Sequence, residues 1–163
     1  MSRAVVAIMA GLLCTLAGLK HAAALKGDAA RLARWEQLLA HLALVLREGT
    51  LSIPKALCAA ADGTHPADHL LQEIARKLAS SPLSSVADIF SALCPDWIEK
   101  PTLSRYFAKF GHGSRDNRIL AAEQCRDEMR LLAKSAAEKA EKDAKLWQTL
   151  GLTGGICLTI LIL

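Results

Sequence analysis

Both ends of this 163-residue chain are apolar and uncharged, and this feature limits the folds open to it. No side chain between Arg3 and Lys20 is charged, and none is charged from Leu146 to the end of the sequence. A helix needs about 20 residues to cross the hydrocarbon core of a bilayer, with about 17 as the lower limit. Both segments lie near this limit, and we predict one transmembrane helix at 4–21 and another at 146–163.

Each terminal segment also has an alternative interpretation. The first resembles a signal peptide, because Arg3 precedes the apolar run and Ala22-Ala23-Ala24 fits a cleavage site after it. The last could be a buried core helix, although a small domain has little core in which to hide one. Both alternatives remain open on the residues alone.

Positive charges next to the two segments set the predicted orientation. Four cations follow the first segment and four precede the last: Lys20, Lys26, Arg31, Arg34, Lys134, Lys139, Lys142 and Lys145. Loops rich in Lys and Arg stay on the cytosolic side of a membrane. We therefore predict that residues 22–145 form a cytosolic domain and that both chain ends lie on the other side.

Small residues recur at helical spacing in both terminal segments. The candidates for membrane-helix packing are Ala7, Gly11, Gly18, Gly151 and Gly155. Small residues four positions apart let two membrane helices approach closely, so they predict packing of the two ends together or against a partner. The alternative is that glycine is simply common in membrane helices.

The central part carries apolar residues at spacings of three and four, which indicates amphipathic helices. One stripe predicts a helix from about Ala22 to Glu48, and it contains Leu32, Trp35, Leu39, Leu42 and Leu46. Gly49 stands where a glycine commonly ends a helix. A second long helix is predicted from Ser114 to Leu150, with a seam made of Cys125, Met129, Leu132, Ala136 and Ala140.

Shorter helices are predicted between the two long ones. Their starts are marked by Pro54, Thr64, Ser85 and Pro101, which are residue types favoured at helix N-termini. We therefore predict an all-α fold: a cytosolic helical bundle of about six helices with one N-terminal and one C-terminal transmembrane helix.

No catalytic, cofactor or metal motif is evident. His65 and His69 have a spacing that can bind zinc, but no water-activating glutamate accompanies them, so exposed turn histidines are the preferred interpretation. The five cysteines are scattered without a CxxC pair. The net charge of +4 forms no basic patch with aromatics, which argues against nucleic acid. We predict a protein that is not an enzyme and has no small-molecule substrate.

Several local patterns together resemble the stage III sporulation protein AB family of endospore-forming bacteria. They are Glu48-Gly49-Thr50, residues 87–93, residues 107–111, Gly113 with Asp116, Leu146-Trp147, and Gly154-Gly155 before the apolar end. Their order and spacing cover nearly the whole chain. The sequence departs from the family pattern at polar positions, where it has Ala43, Val45, Glu48, Asn117 and Leu120.

The resemblance implies a role in the mother-cell membrane facing the forespore. Members of this family are parts of a channel between the two cells and are similar to the inner-membrane platform of type II secretion. The implied partners are the stage III sporulation protein AA ATPase and other membrane subunits, with a homo-oligomer also possible. The contact residues we select are Glu48, Gly49, Gly113 and Asp116, whose alternative roles are helix termination and capping.

Two other functions stay open at this point. One is a platform for a general type II secretion or type IV pilus-like machine. The other is a membrane-bound thiol or metal enzyme that uses Cys58, Cys94 or Cys125 with His65 or His69.

Overall fold

The computed structural model describes residues 3–49, 51–81, 84–110 and 114–162, and these residues form helices and no strand. Six helices follow one another: α1 (Arg3–Glu48), α2 (Ile53–Ala60), α3 (Pro66–Ser80), α4 (Val86–Leu93), α5 (Lys100–Phe110) and α6 (Arg115–Ile162). The predicted all-helical fold of about six helices is confirmed for this part of the chain.

The chain divides into two compact units. The central unit is Arg31–Ala133, and the terminal unit combines the residues up to Ala30 with those from Lys134 onward. Helices α1 and α6 contribute residues to both units. Residues 22–30 and 134–145, which the sequence placed in the central domain, therefore cluster with the terminal segments.

Local signals explain where the helices of the central unit begin and end. Helix α1 ends before Gly49, whose positive φ of 69° favours glycine. Ser85 caps α4 by accepting a hydrogen bond from the Ala87 amide. The cap of α3 is His65, one residue after the predicted Thr64, because His65 forms a capping box with Asp68.

The core of the central unit is the set of apolar stripes found in the sequence. Residues predicted to face inward on α1 are all buried, and Trp35 is wholly inaccessible. Phe90 and Phe107 stack with ring centroids 4.7 Å apart, and Tyr106 lies 5.0 Å from Phe107. The seam on α6 is partly wrong, since Ala133 is buried while Leu132 and Ala136 are only half-buried.

Two buried carboxylates, which the sequence did not single out, tie α1 to the short helices. Asp68 is fully buried, and Arg34 donates to its two oxygens at 3.0 and 3.2 Å. Glu99 is also fully buried, and Arg31 donates to it at 2.7 Å. A buried charge is tolerated when it is paired and hydrogen-bonded, and both carboxylates meet that condition.

In the terminal unit, α1 and α6 run antiparallel at close range. A Cβ atom added to Gly18 would lie 2.8 Å from the Trp147 carbonyl oxygen and 3.3 Å from the Gly151 Cα. The His21 ring meets the Trp147 ring edge at 4.7 Å between centroids. The two backbones approach closely because glycine leaves room for them.

Many large apolar side chains of the terminal unit are exposed. They include Met9, Leu12, Leu13, Leu16, Leu19, Leu146, Leu150, Leu152, Ile156 and Ile160. Among the residues that the structure describes, however, no helix is long and apolar enough to cross a membrane. The transmembrane helices predicted at 4–21 and 146–163 are therefore not supported by that part of the chain.

Candidate partner-binding site

The candidate site lies where α1 ends and α6 begins, within the central unit. Arg115, the first residue of α6, donates from Nε to the carbonyl oxygen of Leu46 at 2.7 Å. Its guanidinium packs against Gly49, where an added Cβ would clash with it. The last carbonyls of a helix have no partner within the helix, and Arg115 supplies one from outside.

A second arginine closes the neighbouring helix end in the same way. Arg118 donates from Nε to the carbonyl oxygen of Phe110, the last residue of α5, at 3.1 Å. Cations near a helix C-terminus are also favoured by the helix dipole. The start of α6 therefore anchors the ends of both α1 and α5.

An open groove of about 480 Å³ lies beside these helix ends. It is lined by Arg47, Arg115, Asp116, Ile119, Leu120 and Glu123. We call these six residues, together with Glu48 and Gly49, the turn surface. An ion pair joins Arg47 to Glu123, and Leu120 is 54% exposed. The turn surface thus presents both signs of charge around the exposed Leu120 and the half-buried Ile119.

Of the four predicted contact residues, Asp116 lines the groove, and Glu48 and Gly49 form the adjoining end of α1. Gly49 and Asp116 both neighbour Arg115, and Glu48 is exposed in the last turn of α1. Gly113 lies outside the described residues. Sequence reasoning missed Arg47, Arg115 and Glu123, although Arg115, Ile119 and Glu123 are spaced four apart and so share one helix face.

The structure describes the surroundings of only some of the residues predicted to pack the two terminal helices together. Gly18 and Gly151 lie against each other in the terminal unit. The surroundings of Ala7, Gly11 and Gly155 lie outside what the structure describes.

The cysteines and histidines considered for a thiol or metal enzyme lie on α2, α3 and α6 and at the ends of α3 and α4. Burial raises the pKa of the Cys94 thiol to about 11 and that of Cys125 to about 12. Cys58 is exposed, and His65 is engaged as the α3 cap. Over the ranges that the structure describes, no three metal-binding side chains are grouped closely enough to hold an ion.

These features define an all-α protein with a paired-helix terminal unit and a compact helical central unit that carries a charged surface at its glycine turn. The family model described as stage III sporulation protein AB matches residues 3–163, so the chain belongs to the stage III sporulation protein AB family and is a sporulation-related protein. The resemblance drawn from the local patterns is thereby confirmed. No curated protein and no solved structure matches the chain.

Proposed function

We propose that this protein is a non-catalytic platform subunit of the channel between mother cell and forespore, where it docks a cytosolic ATPase to the membrane complex. The observation that carries this proposal is the turn surface, whose charged and apolar side chains surround an open groove of about 480 Å³. Membership of the family supports a sporulation role over a general secretion or pilus platform.

The terminal unit supplies the proposed attachment to the mother-cell membrane facing the forespore. Its exposed apolar side chains would be unfavourable in water and favourable in lipid, and Leu13 and Ile160 are 66% and 70% exposed. Trp147, which is 42% exposed, is the type of side chain that prefers a membrane–water boundary. The flanking lysines support a cytosolic central unit.

The proposed ATPase contact uses the turn surface. Glu48 and Asp116 are exposed carboxylates, and the pair of Arg47 with Glu123 lies at the rim of the groove. Charged groups at an interface mainly set specificity and the rate of association, while apolar side chains such as Leu120 contribute buried area. Burial raises the pKa of the Cys94 and Cys125 thiols and so disfavours the nucleophilic thiolate, which supports a binding role over thiol catalysis.

Co-purification from sporulating cells tests the proposal. We expect the ATPase and other channel subunits to be recovered with the wild-type chain. The double variant Glu48→Lys with Asp116→Lys should reduce ATPase recovery about tenfold, which corresponds to about 1.4 kcal/mol of binding free energy. Glu73→Lys is the control for a charge reversal outside the site, since Glu73 is an exposed carboxylate on α3 that does not line the groove.

The proposal is wrong if neither the ATPase nor the other channel subunits accompany the wild-type chain. If the double variant recovers as much ATPase as Glu73→Lys, the turn surface is not the ATPase contact. Circular dichroism of each variant checks that a loss of recovery does not come from unfolding.

A further inference from the structure

A second groove, which shares no residue with the turn surface, lies between α2 and α3 in the central unit. Its volume is about 360 Å³, and its walls come from both helices. Pro54 and Cys58 are four residues apart on α2, and Ala75 and Ala79 are four residues apart on α3. Residues with this spacing share one helix face, so two pairs of small side chains form a floor about one helical turn long.

Two cations border this apolar floor. Lys55 on α2 and Arg76 on α3 line the groove and are exposed, and its remaining lining residue, Gln72, is uncharged. The Gln72 amide donates to the Ala61 carbonyl at 3.2 Å, so one of its two N–H donors is already used. Among the described residues, neither Lys55 nor Arg76 takes part in an ion pair, in contrast to Arg47 at the turn surface, which is paired with Glu123.

We propose that this α2–α3 groove binds an acidic amphipathic helix of a partner protein. The groove has room for about two or three aliphatic side chains, which an incoming helix presents when its apolar residues are three or four positions apart. Acidic side chains beside those residues would meet Lys55 and Arg76, one on each wall. The chemistry is thus an apolar anchor set in a concave floor, with carboxylates paired to two cations that form no ion pair among the described residues.

The shape of the groove favours a helix over an anionic membrane surface. Its deepest lining residue, Ala75, is only 1% exposed, while Cys58 and Ala79 are exposed at the opening. Protruding side chains can reach such a recessed floor, whereas a bilayer contacts a protein through its outermost residues. A lipid-binding face would also be expected to carry protruding aromatic or long aliphatic side chains, and the floor has none.

Cys58 provides a direct measure of occupancy. The full chain in detergent micelles is alkylated with a maleimide, and modification of Cys58 is followed by peptide mass spectrometry, which separates it from the other cysteines. Two helical peptides of about 18 residues, or five turns, serve as probes. Both carry the same leucines at i and i+4, flanked by glutamates in one peptide and by lysines in the other.

We expect the glutamate peptide to slow Cys58 alkylation in a saturable way and the lysine peptide to have no effect. Lys55→Glu with Arg76→Glu should raise the apparent Kd for the glutamate peptide at least about tenfold. Lys77→Glu with Lys109→Glu makes the same change in net charge at exposed residues outside this groove and should leave the Kd unchanged. Equal protection by both peptides, no protection by either, or unchanged affinity of the groove variant would overturn the proposal.

Two further measurements separate the possible occupants. In nanodiscs, protection of Cys58 by anionic lipid without any peptide would identify a membrane-facing surface and overturn the proposal. In sporulating cells, a photoreactive residue at position 79 should crosslink to a partner segment that is an acidic amphipathic helix. A crosslink to a basic segment or to lipid, or no crosslink, contradicts it. Because the turn surface is untouched by these variants, recovery of the ATPase remains an independent readout.

Discussion

The central and terminal units place the same kinds of apolar side chain in opposite environments. In the central unit Leu32 and Leu39 are no more than 2% exposed, whereas Leu13 and Leu16 of the terminal unit are 66% and 59% exposed. The central helices alternate apolar stripes with polar faces, so a bundle can bury each stripe. A pair of helices that is apolar on all sides buries only the contact strip, which leaves the other faces outward.

The polar residues show the complementary difference. The central unit holds two fully buried carboxylates, Asp68 and Glu99, each paired with an arginine of α1. In the terminal unit the described contact strip is instead made of small residues, among them Gly18, Ala22 and Ala144. The central unit therefore pairs its buried carboxylates internally, while the terminal unit leaves large apolar side chains exposed on its outward faces.

The largest expected effect comes from removing a core ring of the central unit. Phe107 is 1% exposed and stacks on Phe90, so Phe107→Ala should lower the free energy of unfolding by about 3–5 kcal/mol. Denaturant unfolding of the full chain, followed by circular dichroism, measures this loss. Phe107→Leu should retain part of the stability and keeps the test informative if the alanine variant does not fold.

The matched change in the terminal unit is Leu13→Ala, at a side chain that is 66% exposed. We expect no measurable loss of unfolding free energy for this variant and a weaker partition into lipid vesicles. An equal loss of stability in Leu13→Ala and Phe107→Ala would remove the contrast between the two units.

Neutralising a buried carboxylate in the central unit should have the second largest effect, a loss of about 2 kcal/mol in the free energy of unfolding. Asp68 accepts hydrogen bonds from Arg34 and from the amides of Thr64 and His65, so Asp68→Asn weakens both an ion pair and a helix cap. The shift of the urea midpoint measures the loss. Asp62→Asn is the control, because Arg34 also donates to Asp62. Since the Asp62 side chain is 59% exposed, this variant should lose less unfolding free energy than Asp68→Asn.

Hydrogen bonds also give the acid dependence of this region a definite sign. Hydrogen bonds hold the pKa of Asp62 well below its usual range. The largest contribution comes from Thr64, and smaller ones come from other neighbours that include Arg34. A carboxyl whose pKa is lower in the folded state contributes stability above its unfolded pKa, and this is lost as pH falls through the folded value. We expect wild-type stability to decline below about pH 4 and the Asp62→Asn variant to lose less over the same range.

The part of the fold that follows from the sequence is the part encoded by local periodicity. The stripe of α1 was predictable, and so, to within one residue, were the starts of α4 and α5, because a period of 3.6 and the residues at caps act within one or two turns. The ion pair of Arg34 with Asp68 was not predictable, since its partners are 34 residues apart and no pattern links them. On α6 the alanine-rich sequence left the seam ambiguous by one residue, and Ala133 took the buried position.

The same division between local signals and long-range contacts applies to the turn surface. Gly49 and Asp116 were selected because glycines and acidic residues mark helix ends. Arg115 was missed because its contact with the Leu46 carbonyl depends on bringing together residues 69 positions apart. The α2–α3 groove was also missed, since small side chains such as Ala75 and Ala79 give no strong signal in a sequence rich in alanine.

A smaller loss of unfolding free energy, about 1–2 kcal/mol, is expected from adding a side-chain atom where the two helices of the terminal unit approach closely. The Cβ of Gly18→Ala would lie 2.8 Å from a backbone oxygen, so the two helices must separate to accommodate it. Gly27 is on the same helix with nothing within 4 Å of an added Cβ. Gly27→Ala should therefore raise the thermal midpoint, through a gain of about 0.5–1 kcal/mol in helix propensity, while Gly18→Ala lowers it. Equal behaviour of the two variants would mean that the contact strip does not hold the helices together.

The smallest effect distinguishes buried from exposed thiols at alkaline pH. Burial raises the pKa of Cys125 to about 12, so the folded chain keeps a proton that the unfolded chain releases above about pH 9. Because the unfolded state then binds fewer protons, stability must fall as pH rises, by less than about 1 kcal/mol at pH 9 for this one thiol. Urea unfolding between pH 7.5 and 9 measures the slope, which Cys125→Ala should reduce. Cys58→Ala removes an exposed thiol and should leave the slope unchanged, so a reduction of equal size in both variants would show that burial is not the cause.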